Sequence, residues 1–183
     1  MTRRVSKEFR VPFTGLEPGK YDFEFTLGEK FFEAFDYSEI SKGNIAVLVE
    51  LEKQSSMMLF HFDLSGTVQV SCDRCGDPLE QPIHFTEQLI VKFGDETRDD
   101  NPDILVLGPS EHEVDLTHYF YEYAHLALPA RHVHPDIASC NQDVIAELKK
   151  HAVEESDASQ WAALKNFNIE DINSEGIDPS EEE

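Results

Sequence analysis

The sequence predicts an α+β protein: a curled or barrel-like antiparallel β-sheet with two or three C-terminal helices. Three observations predict it. From Tyr21 to about Phe93 apolar residues alternate with polar ones, as a half-buried antiparallel sheet requires, because successive side chains point to opposite faces. No helical period interrupts that stretch, which argues against a parallel α/β fold with crossover helices. Beyond Asp115 the spacing becomes helical.

The elements follow in order. Residues 1–14 read as an N-terminal basic arm carrying Arg3, Arg4, Lys7 and Arg10. Residues 15–151 read as the β-rich domain with its helices. In the first strand Tyr21, Phe23, Phe25 and Leu27 share one face, with Asp22, Glu24 and Thr26 on the other. Ile45, Val47, Val49 and Leu51 repeat the pattern, as do Met58, Phe60, Phe62 and Leu64, which Val68, Val70 and Cys72 continue. Ile83, Phe85, Leu89, Val91 and Phe93 complete the set. Gly43-Asn44, Ser65-Gly66 and Gly94-Asp95 are expected as turns or bulges between strands.

From Gly94 to Glu113 the chain is polar and acidic and contains Pro102 and Pro109, so a loop around one short strand, Ile104 to Leu107, is expected. A helix should then open at Asp115, whose carboxylate can accept from free backbone N–H groups as an N-cap. Leu116, Tyr119, Phe120, Tyr123 and Ala127 follow at helical spacing, and Pro129 stops the run. On that helix most of the aromatics are expected in the core, although Tyr119, Tyr121 and Tyr123 also resemble a platform for stacking bases. A second helix is expected over Gln142 to His151. A short third one, Ser159 to Asn166, falls in a C-terminal region 152–167, and 168–183 reads as a disordered acidic tail.

Composition limits function. The formal net charge is −22, and the last sixteen residues hold seven acids and no base, so the body without them stands at −15. Such a surface repels nucleic acid at long range unless its few cations are gathered in one place. It favours solubility, or docking on a basic protein. No apolar window approaches the length of a membrane helix, and no apolar run of the signal-peptide kind follows Met1. The expectation is a cytoplasmic protein without a membrane partner. Three cysteines in 183 residues are too few for a secreted disulfide scaffold.

One local motif carries chemistry: Cys72-Asp73-Arg74-Cys75-Gly76-Asp77. Two thiols separated by two residues can grip one tetrahedral ion, because the turn between them brings both sulfurs to one side. The remaining ligands of a closed site are available in Arg131-His132-Val133-His134-Pro135-Asp136-Ile137-Ala138-Ser139-Cys140. Cys72, Cys75, His134 and Cys140, with His132 as the alternate nitrogen, would hold one structural Zn2+ per chain and clip the segment after the first helix onto the sheet. The competing structural reading is free thiols on a hairpin. A redox dithiol fits less well, since the motif leads into Pro78 and another strand rather than a helix N-terminus. The sequence contains no Walker-type loop, GxGxxG, GxSxG or HExxH.

Val70-Ser71-Cys72-Asp73-Arg74-Cys75, then Val114-Asp115-Leu116-Thr117 opening a helix, then Leu126-Ala127-Leu128-Pro129 and a downstream cysteine, resemble the YceD family over about residues 15–145. His134-Pro135 and Trp161-Ala162-Ala163-Leu164-Lys165 resemble its Bacteroidetes-like branch. The resemblance implies a non-enzymatic factor in large ribosomal subunit biogenesis, concerned with accumulation or processing of the large-subunit rRNA. Cys72, Arg74 and Cys75 match the family's CxRC, Asp115 and Leu116 its helix start, and Leu128-Pro129 its helix stop. Many relatives carry several cysteines in the second half, where this chain has only Cys140 with His132 and His134. A Cys3His site therefore stays open, and a four-cysteine site does not. The expected partners are a basic ribosomal protein, an assembly factor or the large-subunit rRNA precursor. RNA contact would need a basic patch around Arg74, Arg131, Lys149 and Lys150. The alternative is a zinc- or thiol-dependent enzyme using the CxxC motif.

Overall fold

The computed structural model describes residues 7–36, 38–101 and 103–152. The expected third helix over Ser159 to Asn166, the acidic tail and the first six residues of the arm lie outside them. The chain divides into two units, Met1–Gln142 and Asp143–Glu183.

In the first unit the strands are β1 (Arg10–Pro12), β2 (Gly19–Leu27), β3 (Lys42–Lys53), β4 (Met57–Ser71), β5 (Pro78–Phe93), β6 (Arg98–Asn101), β7 (Ile104–Leu107) and β8 (Glu113–Asp115). A one-turn helix α1 (Glu29–Phe32) follows β2, and α2 (Thr117–Leu126) follows β8. Six strands form one sheet in the order β2-β3-β4-β5-β7-β6, and β1 pairs with β8 in a separate ribbon. The architecture is the expected α+β class. The sheet is open rather than closed into a barrel, with β2 and β6 at its edges.

The alternation places the side chains as the pleat dictates. Ile45, Val47, Val49 and Leu51 of β3 and Met58, Phe60, Phe62 and Leu64 of β4 all face inward and are buried. The inner face is covered by α2, whose Tyr119, Phe120, Tyr123 and Ala124 are buried. Phe120 is the aromatic node: its ring centroid lies 5.9 Å from Phe9, 5.2 Å from Phe25 and 6.0 Å from Phe62. The contacts with Phe9 and Phe62 are edge-to-face, the arrangement the ring quadrupoles favour. Tyr121 stacks on Phe35 at 4.0 Å. The core reading of these aromatics therefore describes their contacts.

Two expected turns are corrected. Gly43-Asn44 lies inside β3, and Ser65-Gly66 inside β4, with unbroken antiparallel register between them (Gly43↔Val68, Ile45↔Gly66). The glycines mark crowding rather than reversal. A Cβ on Gly66 would sit 2.2 Å from the Asn44 carbonyl oxygen, and one on Gly43 would sit 2.5 Å from the Phe32 ring. Glycine in a strand interior has this second meaning, a close approach of a neighbour.

Other departures are local. Helix α2 begins at Thr117, with Leu116 in the cap position; the Asp115 carboxylate accepts from the Thr117 N–H at 3.0 Å. Strand β7 occupies Ile104–Leu107 as expected, but pairs parallel with β5. Arg10, inside the expected arm, stands opposite Asp115 in the β1–β8 ribbon and makes ion pairs with Asp115 and Glu113. Helix α3 (Gln142–Lys150) lies almost wholly in the second unit, with Lys150 bonded to Glu147 at 2.7 Å. Among the described residues no helix is long and apolar enough to cross a membrane.

Candidate metal centre

The six residues 72–77 are the tip of the β4–β5 hairpin, whose last register pair is Ser71↔Pro78. The Cys72 N–H donates to the Asp77 carbonyl and the Gly76 N–H to the Cys72 carbonyl, both at 2.8 Å. Gly76 sits at φ +78° with nothing within 4 Å of an added Cβ. Its backbone conformation, which side-chain-bearing residues rarely adopt, is what the tight reversal after Cys75 needs.

The segment after α2 supplies the other side. Asp136 opens a 3-10 turn, Ile137–Ser139, by accepting from the Ala138 N–H at 2.9 Å. The turn delivers Cys140, whose N–H donates to the Ile137 carbonyl. Gln142 then ties the turn together, its side-chain amide donating to the carbonyls of Cys140 at 2.7 Å and Ile137 at 2.9 Å.

The two segments meet. One ligand atom from each of Cys72, Cys75, His134 and Cys140 lies within 4.8 Å of every other. His134 Nδ1 stands 3.6 Å from Cys75 Sγ and 3.7 Å from Cys140 Sγ. A tetrahedral ion with Zn–S about 2.3 Å and Zn–N about 2.0 Å would separate sulfur and nitrogen ligands by about 3.5 Å. The donor set and its spacing fit such an ion. All three thiols are buried and none is in a disulfide.

Electrostatics divides the thiols. Burial opposes ionisation of Cys72, but the backbone N–H groups of His134, Arg74 and Cys75, helped by the Cys75 side chain, draw its pKa down to about 6. Burial holds the Cys140 thiol above its usual value; a hydrogen bond from Arg74 pulls the other way and is outweighed, with Cys75 and Cys72 adding to the rise. Between these two thiols ionisation thus falls to Cys72 before Cys140, and a bound cation would displace the protons of its thiol ligands.

Of the other residues singled out in the sequence, His132 is buried and its ring is turned elsewhere. Its Nε2 lies 3.2 Å from a Glu39 carboxylate oxygen and 3.4 Å from one of Asp73, in directions too oblique for good hydrogen bonds. Arg74 reaches Cys140 Sγ with Nη1 at 3.6 Å. Arg131 is exposed, one residue before His132. Lys149 and Lys150 are exposed on the last turn of α3, in the second unit.

Sequence reading passed over the contacts that position the site. Asp73 and His132 are joined by one main-chain bond and one bond from the His132 N–H to the Asp73 carboxylate, and Glu39 comes from the loop before β3. Only Asp136 carried a signal, since Pro followed by Asp favours a local turn.

A family model described as "Large ribosomal RNA subunit accumulation protein YceD" matches residues 60–168. The chain belongs to the YceD family. The match takes in β4 from Phe60 onward, β5 and all four candidate ligands. No curated protein matches the chain. No solved structure matches it. Within the match, Cys72-Asp73-Arg74-Cys75 lies at the hairpin tip, Asp115-Leu116 stands ahead of α2, and Leu128-Pro129 follows the end of α2.

Proposed function

We propose that this protein is a non-enzymatic factor in large ribosomal subunit biogenesis, built around one structural Zn2+ held by Cys72, Cys75, His134 and Cys140. The family match across the hairpin tip and the ligand segment carries the reading. Four protein donors complete a tetrahedral shell and leave no position for a substrate, which suits a structural ion rather than a catalytic one. Three of the donors are buried thiols and the fourth a half-buried imidazole, a set that suits zinc better than hard cations. When bound, the ion would cross-link the β4–β5 tip to the segment after α2.

The protein acts by binding a basic ribosomal protein or assembly factor, with RNA contact limited to the cations around Arg74 and Arg131 and to Lys149 and Lys150. The charge of −22 supports a basic protein partner over extensive rRNA contact. The test is sedimentation of tagged protein from a lysate at low and high ionic strength, with rRNA analysis after depletion. Co-sedimentation with large-subunit precursors, lost on adding salt, and accumulation of unprocessed large-subunit rRNA are expected. Absence of both would overturn the reading.

A further inference from the structure

Strand β2 is a sheet edge of an unusual kind. It pairs with β3 over nine consecutive residues without a bulge, Gly19↔Lys53 to Leu27↔Ile45. Among the described residues no strand lies against its other side. Natural edges are commonly blunted by shortness, by Pro, by a bulge or by a central lysine. Here the only lysine, Lys20, stands at the start of the strand, and no proline or bulge interrupts it.

Its side chains are incompletely covered. The inner-face residues of β3 and β4 are buried, whereas Tyr21, Phe23 and Phe25 on the same face of β2 are only half-buried. The outer face is acidic. Asp22 stands directly opposite Glu50 in register, and Glu24 is its neighbour two residues on. Like charges directly opposite cost stability. Lys20 answers Glu50 at 2.8 Å and Glu52 at 3.9 Å; among the described residues neither Asp22 nor Glu24 makes an ion pair.

We infer that the free edge of β2 receives an extended segment of another protein in which Lys or Arg alternates with apolar residues. Backbone pairing extends the sheet, the apolar residues cover Phe23 and its neighbours, and the cations answer Asp22 and Glu24. The charge pattern selects against a second copy of this chain. An antiparallel β2–β2 pair centred on Phe23 would place Asp22 against Glu24 twice, so self-pairing is penalised where a basic strand is favoured. The inference rests on the reading of the protein as a binder of a basic partner and says where that partner lies.

The test uses the full chain and a nine-residue peptide alternating Lys with Val, with a Glu-for-Lys peptide as control. Backbone hydrogen exchange should show new protection confined to those amides of 19–27 that point away from β3 with the basic peptide, and none with the acidic one. Asp22→Lys/Glu24→Lys should weaken binding about tenfold or more. Glu80→Lys/Glu96→Lys, which changes net charge equally at exposed positions elsewhere, should change it less than about twofold. Protection appearing elsewhere, equal loss in both variants, slow exchange of the outward-pointing β2 amides already in the free protein, or a dimer formed through β2 would overturn the inference.

A parallel capture of large-subunit proteins separates this from the broader reading. If the wild-type chain captures basic ribosomal proteins and the Asp22→Lys/Glu24→Lys variant does so equally, the edge is wrong and the broader reading stands. If the wild type captures none while the peptide still protects β2, the edge stands and the broader reading falls.

Discussion

Asp73 and His132 hold each other in both directions, once between main chains and once through the Asp73 carboxylate. The Asp73 N–H donates to the His132 carbonyl at 2.9 Å, and the His132 N–H donates to a carboxylate oxygen of Asp73 at 2.8 Å. Asp73 lies between the two hairpin cysteines, and His132 lies two residues before His134. The pair aligns the segment that carries Cys72 and Cys75 with the segment that carries His134.

Replacing Asp73 by Ala should remove one of those bonds and loosen the site. The carboxylate is 40% exposed, so a loss of about 1 kcal/mol in folding stability is expected rather than the value for a buried charge. Zinc affinity should fall by about tenfold. Urea denaturation and competition with a chromogenic chelator measure the two effects; unchanged zinc affinity would remove Asp73 from the site's support.

Native mass spectrometry of untagged protein should find one zinc per chain, removed by a chelator together with part of the thermal stability. His134→Ala and Cys140→Ser should lower the zinc content below one equivalent. His132→Gln should retain it, because that ring is turned to Glu39 and Asp73. Retention of full zinc by His134→Ala would reassign the nitrogen ligand.

In metal-free protein the Cys72 thiol should titrate near pH 6, below the ordinary thiol value of 9.0. A folded-state pKa below the unfolded one means the folded chain holds fewer protons between the two. Stability contributed by the thiolate is therefore complete above about pH 9 and is lost as pH falls through about 6. Thiolate absorbance should show the low midpoint. Urea midpoints should rise from pH 6 to 9 in wild type and flatten in Cys72→Ala; parallel slopes would show that the thiolate contributes nothing.

Gly66→Ala should cost about 3 kcal/mol, because the new Cβ would lie 2.2 Å from a backbone oxygen of the neighbouring strand. Gly28→Ala, with nothing within 4 Å and an ordinary φ of −101°, should be close to neutral. Equal melting temperatures for the two variants would show that β3 and β4 can separate at that point.

Much of this fold was legible because burial writes a period into the chain. The strands from Tyr21 to Phe93, the short Ile104–Leu107 strand and both described long helices follow from spacing alone. The four-ligand group was legible from residue chemistry. The β1–β8 ribbon was not, since three-residue strands carry too little pattern and Arg10 meets Asp115 across 105 positions. The parallel partner of β7 leaves no trace in its own four residues. Gly66 misled because a glycine required by crowding and one required by a turn look identical in sequence.

The ribbon also bears on the order in which the molecule is made. Strands β2 to β5 each pair with the strand before or after, so hairpins can close as the chain leaves the ribosome. Arg10, Val11 and Pro12 are synthesised first but wait for Glu113, Val114 and Asp115. Val11 is fully buried in the finished protein. Val11 therefore waits for its strand partner until Val114 has emerged, after β2 to β5. In chain order that ribbon can close only after the hairpins of β2 to β5 are available.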